Sequence, residues 1–317
     1  MMLFITFLRA LAAILITNAH YVGVYPTDLI ANGGLLGDVL FFSVSGYCLY
    51  NIDLSFPKWY AKRIIRIYPA VFLITLIYLL FGFYSLEEHN LFWWFVYPTY
   101  YHFVTSIMIL YIPYYFIIKN KKIIGNKGEK IPIIILVSLI VQLLFYLLLY
   151  DKSYYHIDTV REPMIRFLFF DSMMIGAYFR NIKQNKNSLY SWLIMIVLMF
   201  LYFGSKLFFV KYEIYASFQI VNQYVLLLLL FVIFNNLNNI EKIFKKIPKS
   251  IFNVINLIAK ITLEIYLVQY VLIDLLKNIS VFPVNFIVLT LSIFLSACVL
   301  NFISSKIQQF IFRRTNL

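Results

Sequence analysis

An all-α membrane helix bundle is the fold class this sequence predicts, and three observations predict it. The 317 residues are 62% hydrophobic, with a mean hydropathy of +0.83, well above the roughly half-apolar composition of a soluble domain. The apolar residues gather into about ten runs near the length of ~20 residues that a helix needs to cross a bilayer. Lysine and arginine concentrate in alternate connections between those runs, which is the asymmetry that orients membrane proteins.

The expected spans are 3–24, 34–53, 65–84, 91–118, 131–150, 163–181, 189–209, 217–236, 251–276 and 281–305. The first carries Arg9 and His20. It shows no clear small-residue cleavage site, so it is expected to be retained rather than removed as a signal peptide. A polar turn around Pro26, Asp28 and Asn32 leads to the second, where Ser43, Ser45 and Gly46 are small enough for close helix packing. Pro69 and Pro132 are expected in the first turns of the third and fifth, where a missing N–H costs little. The fourth holds His102 well inside it. The sixth and ninth are the least apolar, and the ninth carries Lys260 and Glu264 four residues apart, an expected pair on one helix face. Residues 119–130, with Gly125 and Gly128, read as a flexible connector. With no internal repeat and no long soluble segment, the expected organisation is a single membrane domain over 1–317.

Charge sets the orientation. There are 27 basic and 14 acidic residues, a net +13. Most of the basic ones lie between spans two and three (Lys58, Lys62, Arg63, Arg66), between four and five (Lys119, Lys121, Lys122, Lys127, Lys130), after six (Arg180, Lys183, Lys186), after eight (Lys242, Lys245, Lys246, Lys249) and at the end of the chain (Lys306, Arg313, Arg314). Those connections are therefore cytoplasmic, and so are both termini. The net charge is mainly a topology signal, which removes the case for nucleic acid. Acids such as Asp28, Asp38, Glu87, Glu88, Asp151, Asp158 and Glu162, and the four histidines His20, His89, His102 and His156, map to the outer half. The two cysteines, Cys48 and Cys298, lie in apolar runs. They form no disulfide framework, and neither they nor the histidines have metal-binding spacing.

Two clusters carry candidate chemistry. Eleven helical positions at about 100° each return to nearly the same face, about 16 Å further along. Arg9 and His20 therefore share a stripe with Ala12, Ala13 and Ile16. Ionisable groups in a bilayer are expensive and usually face a protein interior or a wet cavity, although Arg9 can also snorkel to headgroups. Asp38 opens the second span, and the intervening turn brings it towards His20. A carboxylate beside an imidazole fixes its tautomer and makes it a better general base. At the other face, Arg63 and Arg66 stand three residues apart on one helix side. Two guanidinium forks so placed suit phosphate oxygens, of a ligand or of anionic lipid headgroups.

These residues resemble the acyltransferase-3 family of integral membrane acyltransferases, which O-acylate bacterial surface glycans. Arg9 and His20 match an Arg-x10-His pattern. Gly37 to Tyr47 is similar to the family's Gly-x-x-x-Phe-Phe-x-x-Ser-Gly-Tyr segment, and Arg63 to Arg66 followed by Pro69 to its Arg-x-x-Arg segment. Weaker similarities fall at Leu110–Pro113, Arg166–Gly176 and Glu264–Gln269. The family often has histidine where Gln269 stands, and the Ser-x-Glu segment of larger members is missing. The resemblance implies an acyl-CoA donor, most often acetyl-CoA, on the cytoplasmic side of a bacterial inner membrane, and no metal. It implies a hydroxyl of a surface glycan or lipid-linked glycan as acceptor. It further implies His20 and Arg9 as catalytic residues and Arg63 and Arg66 as donor-binding ones, and Asp38 joins the catalytic set from its expected place near His20. Two other readings stand beside it. A lipid-linked glycan flippase or small-molecule transporter would explain the spans without acyl-CoA. A structural membrane subunit would make Arg9 and His20 dispensable.

Overall fold

A computed structural model describes residues 2–87, 89–95, 101–152, 163–181 and 188–315. Glu88, His156, Asp158, Arg161, Glu162, Lys183 and Lys186, which enter the charge pattern, lie outside the described residues. Regular structure among the described residues is helical. In order it comprises α1 (Leu3–Ala19), α2 (Gly34–Leu49), α3 (Phe56–Leu80), α4 (Leu91–Phe95), α5 (His102–Lys119), α6 (Lys121–Ile124), α7 (Ile131–Leu148), α8 (Met164–Asn181), α9 (Leu189–Lys211), α10 (Ile220–Asn239), α11 (Glu241–Phe244), α12 (Lys249–Lys260), α13 (Thr262–Leu276) and α14 (Val284–Thr315). A 3-10 segment, Glu213–Phe218, joins α9 to α10. Six of these helices (α3, α5, α7, α9, α10 and α14) are long and apolar enough to cross a membrane, and the bent pair α12 and α13 makes a seventh if it is one span. α1 and α2, at 17 and 16 residues, are apolar but shorter.

The chain divides into two compact units. The first comprises Met1–Ala12, Leu35–Ile52 and Ile112–Asn253. There α8 packs on α7 and α10, and α10 on α9. The start of α1 is capped by a buried carboxylate, with the Leu3 and Phe4 N–H groups donating to Glu241 at 2.7 and 2.9 Å. This satisfies two of the donors that a helix start leaves over and sets negative charge at its positive end. α2 and α8 touch backbone to backbone. A Cβ on Gly46 would strike the Met173 carbonyl, and one on Gly176 would strike the Ser43 carbonyl. Phe42 and Phe169 stack across the same seam at 4.2 Å, and Tyr114 donates to the Gly46 carbonyl at 2.6 Å. The close packing expected from Ser43 and Gly46 is what α2 uses.

The second unit comprises Ala13–Gly34, Asp53–Tyr111 and Val254–Leu317. α3, α13 and α14 pack together in it. The connection after α1 is organised around Asn18, whose amide donates to the Ile30 and Asn32 carbonyls while its oxygen accepts from Tyr25. Glu264, buried on α13, accepts from Asn301 of α14 at 3.0 Å.

Three expectations are corrected. Pro69 is not in a first turn, because α3 begins at Phe56 and Pro57 takes the first-turn place. The basic turns before Ile67 are helical although they are not apolar. His102 is the exposed first residue of α5 rather than a buried intramembrane one. Lys260 and Glu264 do not share a helix face. α12 ends at Lys260, and α13 leaves it at 69°. On α12, Lys249, Asn253, Asn256 and Lys260 form one stripe, and Ile251, Val254, Ile255 and Ile258 form the other. Ile251 and Val254 are more than half exposed. Two faces so divided suit a helix lying in the membrane interface, its apolar side towards the acyl chains. Spin labels at 251 and 254 are therefore expected to be reached by lipid-soluble oxygen, and labels at 253 and 260 by a water-soluble relaxant. Equal burial in lipid at all four would make α12 a membrane-crossing half-span instead.

Candidate active site

Helix α1 continues unbroken from Arg9 to Ala19, and His20 follows in a turn whose N–H donates to the Thr17 carbonyl at 3.1 Å. The stripe between them faces protein. Ala12, Ala13 and Ile16 are buried, whereas Ile14 on the opposite side is 53% exposed. Arg9 and His20 are themselves half-buried at the two ends of that stripe. An arginine placed so is turned inward, where a cation is worth most to a developing negative charge.

His20 lies against α13. Its ring meets Tyr270 edge-on at 4.8 Å. One residue earlier, Gln269 is fully buried with neither amide atom hydrogen-bonded. A buried amide left so costs on the order of 1–3 kcal/mol, which marks it as a polar group with capacity to spare. Sequence reading gave Gln269 no catalytic role, because the family that the chain resembles often has histidine at that position. The ends of α1 and α2 meet where a Cβ on Gly34 would lie 2.8 Å from Ala19 Cβ. Asp38 follows one turn into α2 and is half-buried. On the Ile14 flank of α1, a cavity of about 190 Å³ is lined by Ala13, Ile14, Thr17, Tyr21, Ile265 and Thr290 among others, and His20 is not part of its lining. Its walls are largely hydrocarbon, and the Tyr21 and Thr290 hydroxyls pair with each other at 3.0 Å.

The basic pair sits near the start of α3. The Arg63 guanidinium lies 5.5 Å over the Trp59 ring, and Trp59 meets Tyr111 edge-on at 5.6 Å. This holds Arg63 half-buried at one setting, an interaction of about 0.5–2 kcal/mol. Arg66, one turn further, is exposed, and its carbonyl accepts from Gln308 of α14 at 3.1 Å. Trp59 as the platform for Arg63 was legible in the sequence only as i,i+4 spacing.

A helical membrane protein with an arginine and a histidine on one largely buried stripe, and an arginine pair of which Arg63 stacks on Trp59, fits a polytopic membrane transferase. Comparison with known families agrees. The family model described as an acyltransferase domain, acyltransferase-3, matches residues 2–306, so the chain belongs to that family and is a membrane acyltransferase. Among curated proteins and among solved structures, none matches the chain.

Proposed function

We propose that the protein moves an acyl group, most simply acetyl, from cytoplasmic acyl-CoA to a hydroxyl of a bacterial cell-surface polysaccharide. That polysaccharide is a capsule, exopolysaccharide or lipopolysaccharide, or its lipid-linked precursor. The observation that carries this reading is the Arg9–His20 stripe, with Ala12, Ala13 and Ile16 buried between its half-buried ends, in a chain of the acyltransferase-3 family. Arg63 and Arg66 hold phosphate oxygens of coenzyme A. Arg9 stabilises negative charge developing on the thioester carbonyl. His20 takes the proton of the acceptor hydroxyl, with Asp38 orienting the imidazole. The protein works in the inner membrane as a multi-pass enzyme.

The donor half is tested directly. The double variant Arg63→Ala, Arg66→Ala is expected to insert and accumulate yet bind acetyl-CoA at least about 100-fold more weakly. Charge-assisted hydrogen bonds are worth roughly 1.5–3 kcal/mol each, and 1.4 kcal/mol is about tenfold. The measurement is calorimetric titration of the purified variants with acetyl-CoA. Unchanged affinity would assign the pair to lipid headgroups.

A further inference from the structure

We propose that a groove between α3 and α14 is the seat of one anionic phospholipid, with an acyl chain along the groove and the headgroup phosphate on Lys58, Lys62 and Arg314. Both helices belong to the second unit, where they pack on each other. Each is long and apolar enough to cross a membrane. The groove has a volume of about 390 Å³ and is walled by Ile65, Pro69, Phe72 and Leu76 of α3 and by Ile307 and Ile311 of α14, among others. The surface it offers is hydrocarbon. Phe72 and Leu76 are each 48% exposed, so the groove is open at the molecular surface. Its length fits one leaflet of a bilayer. From Ile65 to Leu76 at about 1.5 Å per residue is roughly 16 Å, against about 15 Å for half of a hydrocarbon core about 30 Å thick.

The charge on both walls gathers at one end. Ile65, Pro69, Phe72 and Leu76 follow one another at intervals of four, three and four residues, and the same stripe runs back through Lys62 and Lys58 at intervals of three and four. On α14, Ile311 is followed three residues later by Arg314. Lys58 and Arg314 are exposed and Lys62 is half-buried. The Arg314 guanidinium rests on the Phe310 ring at 4.5 Å. The Gln308 amide donates to the Arg66 carbonyl at 3.1 Å, which sets the start of α3 beside the end of α14. All three cations therefore lie beyond the same end of the groove. Neither helix contains an aspartate or a glutamate.

A phosphate with a hydrocarbon tail is the ligand complementary to this arrangement. Lysine and arginine at a membrane surface attract anionic headgroups, and an acyl chain has no polar atom to leave unpaired against a hydrocarbon wall. The pantetheine arm of coenzyme A carries amides and a hydroxyl, which would find no partner there. Arg63 and Arg66 stand about 160° and 100° round α3 from Ile65, off the stripe. The lipid therefore does not compete for that pair, and the inference holds whether or not the pair binds coenzyme A.

The test is native mass spectrometry of the purified full chain, released from detergent micelles that contain equal amounts of dioleoyl phosphatidylglycerol and dioleoyl phosphatidylcholine. One phosphatidylglycerol per chain is expected to be retained, favoured over phosphatidylcholine by at least about tenfold. The variant Lys58→Ala, Lys62→Ala, Arg314→Ala is expected to unfold at the wild-type temperature and to retain the two lipids alike. Leu76→Trp, which fills the far end of the groove, is expected to retain neither. If Leu76→Trp does not fold, the charge variant decides alone. Equal retention of the two lipids by wild type, or an unchanged preference in the charge variant, would overturn the proposal. Displacement of phosphatidylglycerol by acetyl-CoA would overturn it in favour of the donor, and a lipid-free dimer would overturn it in favour of a second copy of the chain.

Discussion

His20→Ala and His20→Gln are both expected to abolish O-acylation of the surface glycan while leaving protein level and acetyl-CoA binding intact. A hydroxyl is a poor nucleophile at neutral pH, and a positioned base contributes typically 10²–10⁴-fold. Histidine suits the task because its ordinary pKa, about 6.5, lies near operating pH. The proposed role rests on where His20 lies. It follows the last turn of the helix that carries Arg9 and packs edge-on against Tyr270. The glutamine variant is the discriminating one, since an amide keeps a hydrogen bond but cannot carry the proton. The measurement is O-acetyl content by NMR in a deletion strain with each variant at matched level. Normal acetylation with His20→Gln would remove the base, and normal acetylation with His20→Ala as well would leave His20 as an edge-on partner of Tyr270.

The parts of this molecule that were legible in the sequence are those that a period or a spacing encodes. The Arg9–His20 stripe follows from 100° per residue, and burial of Ala12, Ala13 and Ile16 agrees with it. Close packing at Gly46 follows from small side chains alone. What hydropathy misreads are boundaries. The first turns of α3 are helical but basic, so the apolar run starts late and Pro69 is misplaced towards the start of the helix. The break at Ile261 is hidden because the apolar side of α12 runs into α13 without a proline or glycine to mark it. The groove between α3 and α14 escaped notice for a different reason. Its walls are apolar stripes from segments distant in the chain, Ile65 to Leu76 and Ile307 to Ile311. A groove made by two apolar helices leaves no pattern along either one.

The largest structural effect is expected at the seam between α2 and α8, where the two helices share one interface from both sides. Gly46 faces the Met173 carbonyl and Gly176 faces the Ser43 carbonyl, with no space at either place for a methyl group. Both obstacles are backbone, so no side chain can rotate away and the helices themselves must separate. Overpacking a core typically costs about 1–3 kcal/mol when neighbours can adjust. Here separation would also pull apart the Phe42–Phe169 stack and the hydrogen bond from Tyr114 to the Gly46 carbonyl. Gly46→Ala and Gly176→Ala are therefore each expected to cost more than that range, and Gly176→Leu to prevent accumulation of folded protein. Ser45→Ala, half-buried on the same helix, serves as the control and should be near neutral. Thermal unfolding of the purified variants in detergent, followed by near-ultraviolet circular dichroism, gives the comparison. A Gly176→Ala protein as stable as Ser45→Ala would mean that α2 and α8 are not in backbone contact. The placement of Asp38 on α2 would then have to be redrawn.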